Sequence, residues 1–167
     1  LLHPAIIKPD KIVNALKWCI AETERRYKIL VENKFLNIYD YNKKMGQTVF
    51  PNIVVFISEL GEIMKYEEVE GLIIQIVQFT KFSGIHIIMQ TQQISNKVVT
   101  GLILDNVIYR LAFQVPTKEE AQILNTPLAE KLIGQGDMIV YGFNDEILNL
   151  QGFHIADERI NELLKNN

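Results

Sequence analysis

The stretch Asn52-Ile53-Val54-Val55-Phe56-Ile57-Ser58-Glu59 constrains this chain more than any other. Five consecutive apolar residues, most of them β-branched, end in a hydroxyl and a carboxylate. An unbroken apolar run of that length predicts a strand buried on both faces of a parallel sheet. In open α/β sheets ligands bind outside the carboxyl ends of the strands. Ser58 and Glu59 stand at that end. Nucleotide-hydrolysing folds place an acidic pair there, to hold Mg²⁺ and to orient a water. The usual pair is Asp-Glu, and here the first member is Ser. Buried strands also end in polar residues by chance, so the local pattern alone leaves both readings open.

A phosphate-binding loop of the form G-x-x-x-x-G-K-[ST] needs backbone N–H groups and a Lys to cradle phosphates. No stretch of the 167 residues matches it. Gly134 and Gly136 flank Gln135, but neither Gly-Lys-Ser nor Gly-Lys-Thr occurs.

The length fits one domain with a sizeable core. A hydrophobic content of 48% and a charged content of 22% are ordinary for a globular protein. A net charge of −3 gives no bulk electrostatic footprint for nucleic acid, although a local basic loop is compatible with it. The single Cys19 excludes an internal disulfide, suits a reducing compartment and is expected on the buried face of a helix. No apolar run has the length to span a bilayer and no signal peptide is visible. The opening Leu1-Leu2-His3-Pro4 without Met reads as a fragment or a trimmed chain.

Asp10 is expected to cap a helix running to about Asn33. Its apolar stripe is Val13, Leu16, Ile20, Tyr27 and Leu30/Val31. Lys11, Lys17, Glu22, Glu24, Arg25 and Arg26 fall largely off that stripe. Residues 34–51 read as a loop with room for a short helix. The 53–58 strand follows, then a helix over 67–82 ended by Gly84. Ile85–Thr91 reads as a second buried strand, 97–104 as a short helix, and Val107–Val115 as a third strand. Helical patterns at 118–124 and 127–132 precede a strand pair at about 137–142 and 147–155, joined by Gly142-Phe143-Asn144-Asp145. A terminal helix covers 156–165. Strands alternating with helices predict an α/β fold with a mostly parallel sheet, plus a late β-hairpin adding antiparallel strands.

Five strings in order carry a resemblance across nearly the whole chain. They are Lys17-Trp18-Cys19-Ile20-Ala21-Glu22-Thr23-Glu24-Arg25-Arg26-Tyr27, Gly84-Ile85-His86-Ile87-Ile88-Met89-Gln90-Thr91-Gln92, Thr100-Gly101-Leu102-Ile103, Arg110-Leu111-Ala112-Phe113 and Leu132-Ile133-Gly134-Gln135-Gly136-Asp137-Met138. Together they resemble the FtsK/SpoIIIE DNA translocases, whose motor is a RecA-like P-loop ATPase. The resemblance implies that residues 1–167 are a single partial motor domain, lacking the Walker A loop. It implies ATP and Mg²⁺ as cofactors, double-stranded DNA as the partner, and a homo-oligomeric ring, a hexamer. It implies a cytoplasmic location, with no membrane contact from this segment and a membrane anchor at the division septum elsewhere in the full-length protein.

The same resemblance assigns roles. Glu59 matches the carboxylate that orients the attacking water. Ser58 takes the place of the Mg²⁺-associated Asp; a hydroxyl reaches a metal only weakly, through a bound water, because it brings no charge. Glu62 follows one turn later, as a partial substitute or a surface acid. Gln92 matches a polar sensor that reads the γ-phosphate or the lytic water, so Ser58, Glu59 and Gln92 form the nucleotide-facing set. Arg110 matches an Arg that reaches a neighbouring subunit's nucleotide, or forms a structural ion pair. Lys81, Lys97 and Lys118 are the available DNA contacts, with Lys81 and Lys97 preferred. The chain also departs from the pattern. Gln93 and Ile94 replace an Arg and a Pro, Ala121 or Gln122 an Arg, and Leu104-Asp105 a Lys. His86 reads as a satisfied core histidine. His3 and His154 have no metal-site spacing. Two other readings compete: a catalytically degenerate paralogue acting as a structural or interaction subunit, and a related secretion or conjugation ATPase.

Overall fold

The computed structural model describes residues 4–143 and 146–165. Leu1, Leu2, His3, Asn144, Asp145 and the last two residues lie outside them, so part of the expected hairpin turn and the His3 position are not described. The chain divides into two compact units, residues 1–106 and 107–167.

The first unit opens with α1, Pro9–Glu32. Pro9 occupies the first helical turn, where a missing N–H costs nothing, and Lys8 is the N-cap. Asp10 is therefore not the cap but an acid in the first turn, favourable to the helix dipole. The buried stripe also differs from expectation. It runs Leu16, Cys19, Thr23, Arg26 and Leu30, a spacing of three and four. Tyr27 and Val31 are exposed instead. Arg26 sits inside because its donors find partners there. Nε donates to Glu22 Oε1 at 2.7 Å, and Nη1 donates to the carbonyls of Pro51 at 2.8 Å and Ser83 at 2.7 Å. One side chain thus ties α1 to the loop before the first strand and to the end of a later helix.

α2, Ile38–Met45, is capped by the Asn37 side chain, which accepts from Asp40 N, and ends at Gly46 in the left-handed region. Leu30, Ile38 and Phe50 form a buried cluster with Phe35, Tyr41 and Phe82 around it. β1, Ile53–Ile57, leads through the short α3, Leu60–Ile63, to α4, Val69–Ser83. α4 buries Val69, Ile73 and Ile76. It ends at Gly84 (φ 65°), which hands the chain directly to β2, Ile85–Met89. A Cβ on Gly84 would stand 2.2 Å from Ile38 Cδ1 and 2.7 Å from Asn52 Oδ1. Gly84→Ala combines left-handed strain with a clash against α2 and is expected to destabilise by about 2–3 kcal/mol in urea unfolding.

β1 and β2 form a two-stranded parallel sheet, in register from Ile53/Ile85 to Ile57/Met89. The expectation that β1 is buried on both faces does not hold within the described residues. Burial alternates along β1, and Val54, Phe56 and Ile88 are 58%, 61% and 51% exposed. α4 packs on β2 and α1 packs on α4, which stacks these helices in succession. His86 pairs in register with Val54 and is half-buried, 3.4 Å from the Tyr39 hydroxyl, so it is not a core histidine. α5 is Gly101–Asn106, later than the 97–104 reading, because Val98 and Val99 sit in a turn that Ser95 closes with its carbonyl. Thr100 starts α5 by accepting from Ile103 N, and its hydroxyl reaches Glu70 on α4.

The second unit is a three-stranded antiparallel sheet in the order β3-β4-β5. β3 is only Arg110–Ala112, shorter than the 107–115 run, because just these residues pair with β4. β4 is Asp137–Phe143 and β5 is Glu146–Gln151. Gly142 (φ 102°) lets the Ile108 carbonyl approach, since an added Cβ would lie 2.1 Å from that oxygen. α6, Lys118–Ile123, starts with a reciprocal capping box between Thr117 and Glu120. Ala121 is the buried residue of α6, and Ala112, Val115, Ala129, Leu132 and Ile139 are buried elsewhere in this unit. α7, Asp157–Lys165, buries none.

Candidate nucleotide-facing site

Parallel pairing makes β1 and β2 leave their sheet at the same end, so Ser58-Glu59 and Gln90-Thr91-Gln92 become neighbours. Backbone bonds continue past the strands. Gln90 N donates to Ile57 O at 2.8 Å, and Leu60 N donates to Gln90 O at 2.7 Å. Glu59 is the N-cap of α3, its Oε1 accepting from Gly61 N at 3.0 Å. Thr91 Oγ1 donates to the same oxygen. Gln92 N donates to Oε2 at 3.0 Å. The carboxylate is therefore clamped between its own helix and the loop after β2.

Burial pushes the Glu59 carboxyl up, while the bonds from Thr91, Gln92 and Gly61 pull it down. The bonds win, and the group lies below the ordinary carboxylate range. It is ionised at neutral pH and can only accept. Gly61 is part of the design. A Cβ there would meet Gln93 Oε1 at 2.6 Å and Glu59 Oε1 at 3.2 Å.

Ser58 and the Gln92 side chain are exposed beside this carboxylate. Ser58, Glu59 and Gln92 are thus brought to one sheet end. Arg110 lies in the other unit, half-buried on β3, its guanidinium 5.0 Å from the centre of the Tyr141 ring. Lys81 is exposed in the last turn of α4, Lys97 in the turn before α5, and Lys118 at the start of α6. Glu62 is exposed and paired with Lys65 at 2.5 Å, which makes it a surface acid. Cys19 is buried, and burial first, then Glu22, pushes its thiol up, away from any nucleophilic role. Among the described residues no cluster of three or more His, Cys, Asp or Glu is placed to hold a metal, and no helix is long and apolar enough to cross a membrane. One hydroxyl and one clamped carboxylate match a hydrated cation held mainly by its own ligand, because Mg²⁺ usually keeps several waters. Gly61 was not singled out by sequence reasoning, and Thr91 was placed only as part of a Thr-Gln strand end near the nucleotide, without its bond to Glu59. Their only signal is position: a hydroxyl just past a strand end, and a glycine two residues after the acid.

The FtsK/SpoIIIE family model matches residues 1–96. The chain is 38% identical to the DNA translocase FtsK of Lactiplantibacillus plantarum over 98% of its own length and 22% of that protein. It is 43% identical to the DNA translocase FtsK of Campylobacter jejuni over 83% of its length and 15% of that protein. The chain thus spans less than a quarter of the length of these curated relatives. The solved structure of the pCW3 conjugation coupling protein TcpA, monomer form with ATPγS, superposes with a TM-score of 0.84 at 25% identity, covering 96% of this chain and 50% of that one. EssC (ATPases 2 and 3) of Geobacillus thermodenitrificans, at 18% identity and a TM-score of 0.74 over 94% of this chain and 30% of that one, shares the fold.

Proposed function

Because the chain belongs to the FtsK/SpoIIIE family, we propose that it forms part of a cytoplasmic, RecA-like motor domain that hydrolyses ATP to drive double-stranded DNA through a homo-oligomeric ring, a hexamer, in chromosome segregation at cell division. The observation that carries this reading is the clamped, ionised Glu59 beside exposed Ser58 and Gln92 at one sheet end. In this role Glu59 orients the attacking water and takes up its proton. Gln92 offers its side-chain amide to the terminal phosphate. Ser58 would help to hold Mg²⁺ through a bound water. Mg²⁺ supplies charge neutralisation to the phosphates. Lys81 and Lys97 face DNA phosphates, and their contacts weaken as salt rises. The 167 residues contain no phosphate-binding loop, so this chain alone is expected to show no ATP turnover.

The test is DNA-stimulated ATP turnover by the full-length gene product. Turnover that rises with duplex DNA supports the reading, and its absence overturns it. Within that assay, Arg110→Ala is expected to lower turnover on the order of tenfold while leaving nucleotide affinity unchanged, since a group from a neighbouring subunit acts mainly on the transition state. Unchanged turnover returns Arg110 to its structural place over Tyr141. A second reading, a non-catalytic paralogue, is favoured by Ser58 standing where an Asp carries charge. Under it, Ser58→Asp leaves a silent full-length protein silent. Under the motor reading the same change tightens Mg²⁺-nucleotide binding.

A further inference from the structure

The two oxygens of Glu59 are not equivalent. Oε1 accepts from both Gly61 N and Thr91 Oγ1. Oε2 accepts from Gln92 N alone. Each carboxylate oxygen offers about two lone-pair sites, so Oε1 is filled and Oε2 keeps one. The Thr91 hydroxyl is itself oriented. It accepts from Gln93 N at 3.0 Å, which turns its single proton toward Glu59 rather than toward the Gln93 carbonyl at 3.4 Å. An N–H to O–H to carboxylate chain of this kind polarises along its length.

We propose that Thr91 is the positioning residue of the site: with Gly61 it saturates Oε1 of Glu59 and so leaves Oε2 as the one oxygen able to accept a proton from a water. This rests on the motor reading for its chemistry, but not for its geometry. Thr91 acts through Glu59. A Thr to Val change keeps the shape and removes both the donor and the acceptor. A Thr to Ser change keeps the hydroxyl and loses only a methyl.

The geometry also makes a backbone prediction. The amide protons of Gly61 and Gln92 end on Glu59, so they are protected only while the carboxylate is held. With Thr91→Val, Glu59 keeps only its two backbone donors and is expected to swing away more often, and when it does both amides lose their acceptor together.

Two measurements test this. In the 167-residue chain, amide hydrogen exchange at Gly61 and Gln92 is expected to quicken about tenfold in Thr91→Val, with amides of α1 and α4 unchanged, and to return to the original rate in Thr91→Ser. In the full-length product, Thr91→Val is expected to lower kcat about tenfold or more with KM for ATP unchanged, and Thr91→Ser is expected to restore kcat. Unchanged exchange at both amides in Thr91→Val overturns the proposal, as does Thr91→Ser behaving like Thr91→Val. A normal kcat in an otherwise active Thr91→Val protein also overturns it. If the unaltered full-length protein turns over no ATP while the exchange pattern follows the hydroxyl, the motor reading fails and the positioning of Glu59 by Thr91 stands.

Discussion

Glu59→Gln is expected to lower ATP turnover of the full-length protein by about 10²–10⁴-fold, the range a positioned proton acceptor contributes. The amide is nearly isosteric, so the loss is chemical rather than steric. Its oxygen can remain on the Thr91 and Gly61 side, where two donors meet. Its NH₂ must then face Gln92 N, donor against donor, at the position Oε2 now fills. The variant therefore loses the proton acceptor and one hydrogen bond together. Glu59→Asp shortens the arm by a methylene and cannot cap α3 and reach Gln92 at once, so it is expected to be nearly as slow. Nucleotide affinity should change little in Glu59→Gln. Turnover within threefold of the original would remove Glu59 from the chemistry. Steady-state ATPase rates with saturating DNA decide the matter.

Arg26→Ala is expected to destabilise the first unit by about 3–5 kcal/mol, the cost of removing one partner from a buried ionic network. Arg26 is 2% exposed and Glu22 is 12% exposed. Deletion leaves the Pro51 and Ser83 carbonyls without their donor, in a place where little water reaches. It also removes a cation 5.5 Å from the Phe50 ring centre. Arg26→Lys should recover only part, because one ammonium cannot fork to Glu22 and two carbonyls with the reach of a guanidinium. Urea unfolding followed by fluorescence of Trp18 measures the difference. A loss below 1 kcal/mol would mean that water replaces all three bonds.

The same network fixes an acid limb of stability. The hydrogen bond from Arg25 holds the Glu22 carboxyl below its ordinary range, with Arg26 adding to it against the opposing effect of burial. A depressed folded-state pKa means that the stabilisation is complete above the ordinary carboxylate value of about 4.3 and is lost as pH falls through the lower folded-state value. Glu22→Gln should be less stable at pH 7 and should flatten this limb.

Much of this architecture could be read from the chain, and the reasons are local. Ile53–Ile57 and Ile85–Met89 declare themselves as strands by apolar β-branched runs, and Gly84 declares a helix stop because only a residue without Cβ fits there. Two such parallel strands place Glu59 and Gln92 side by side, so that pairing was legible too. What escaped was decided by partners distant in sequence. Arg26 looks like a surface residue on a helical wheel, and nothing local announces that the Pro51 and Ser83 carbonyls will meet it. Thr91 looks like a strand end until the carboxylate reached across 32 positions is seen. β3 shrank to Arg110–Ala112 because an apolar run reports burial, not which residues find a pairing edge.

The uncovered side of the β1–β2 sheet sets how this chain behaves in a tube. Val54, Phe56 and Ile88 form a greasy strip on a molecule whose net charge of −3 supplies little mutual repulsion. At rising concentration the chain is expected to self-associate through that strip, visible as a mass that grows in light scattering. Phe56→Lys, on the exposed side and away from the Glu59 clamp, should keep it monodisperse at higher concentration without lowering its unfolding midpoint.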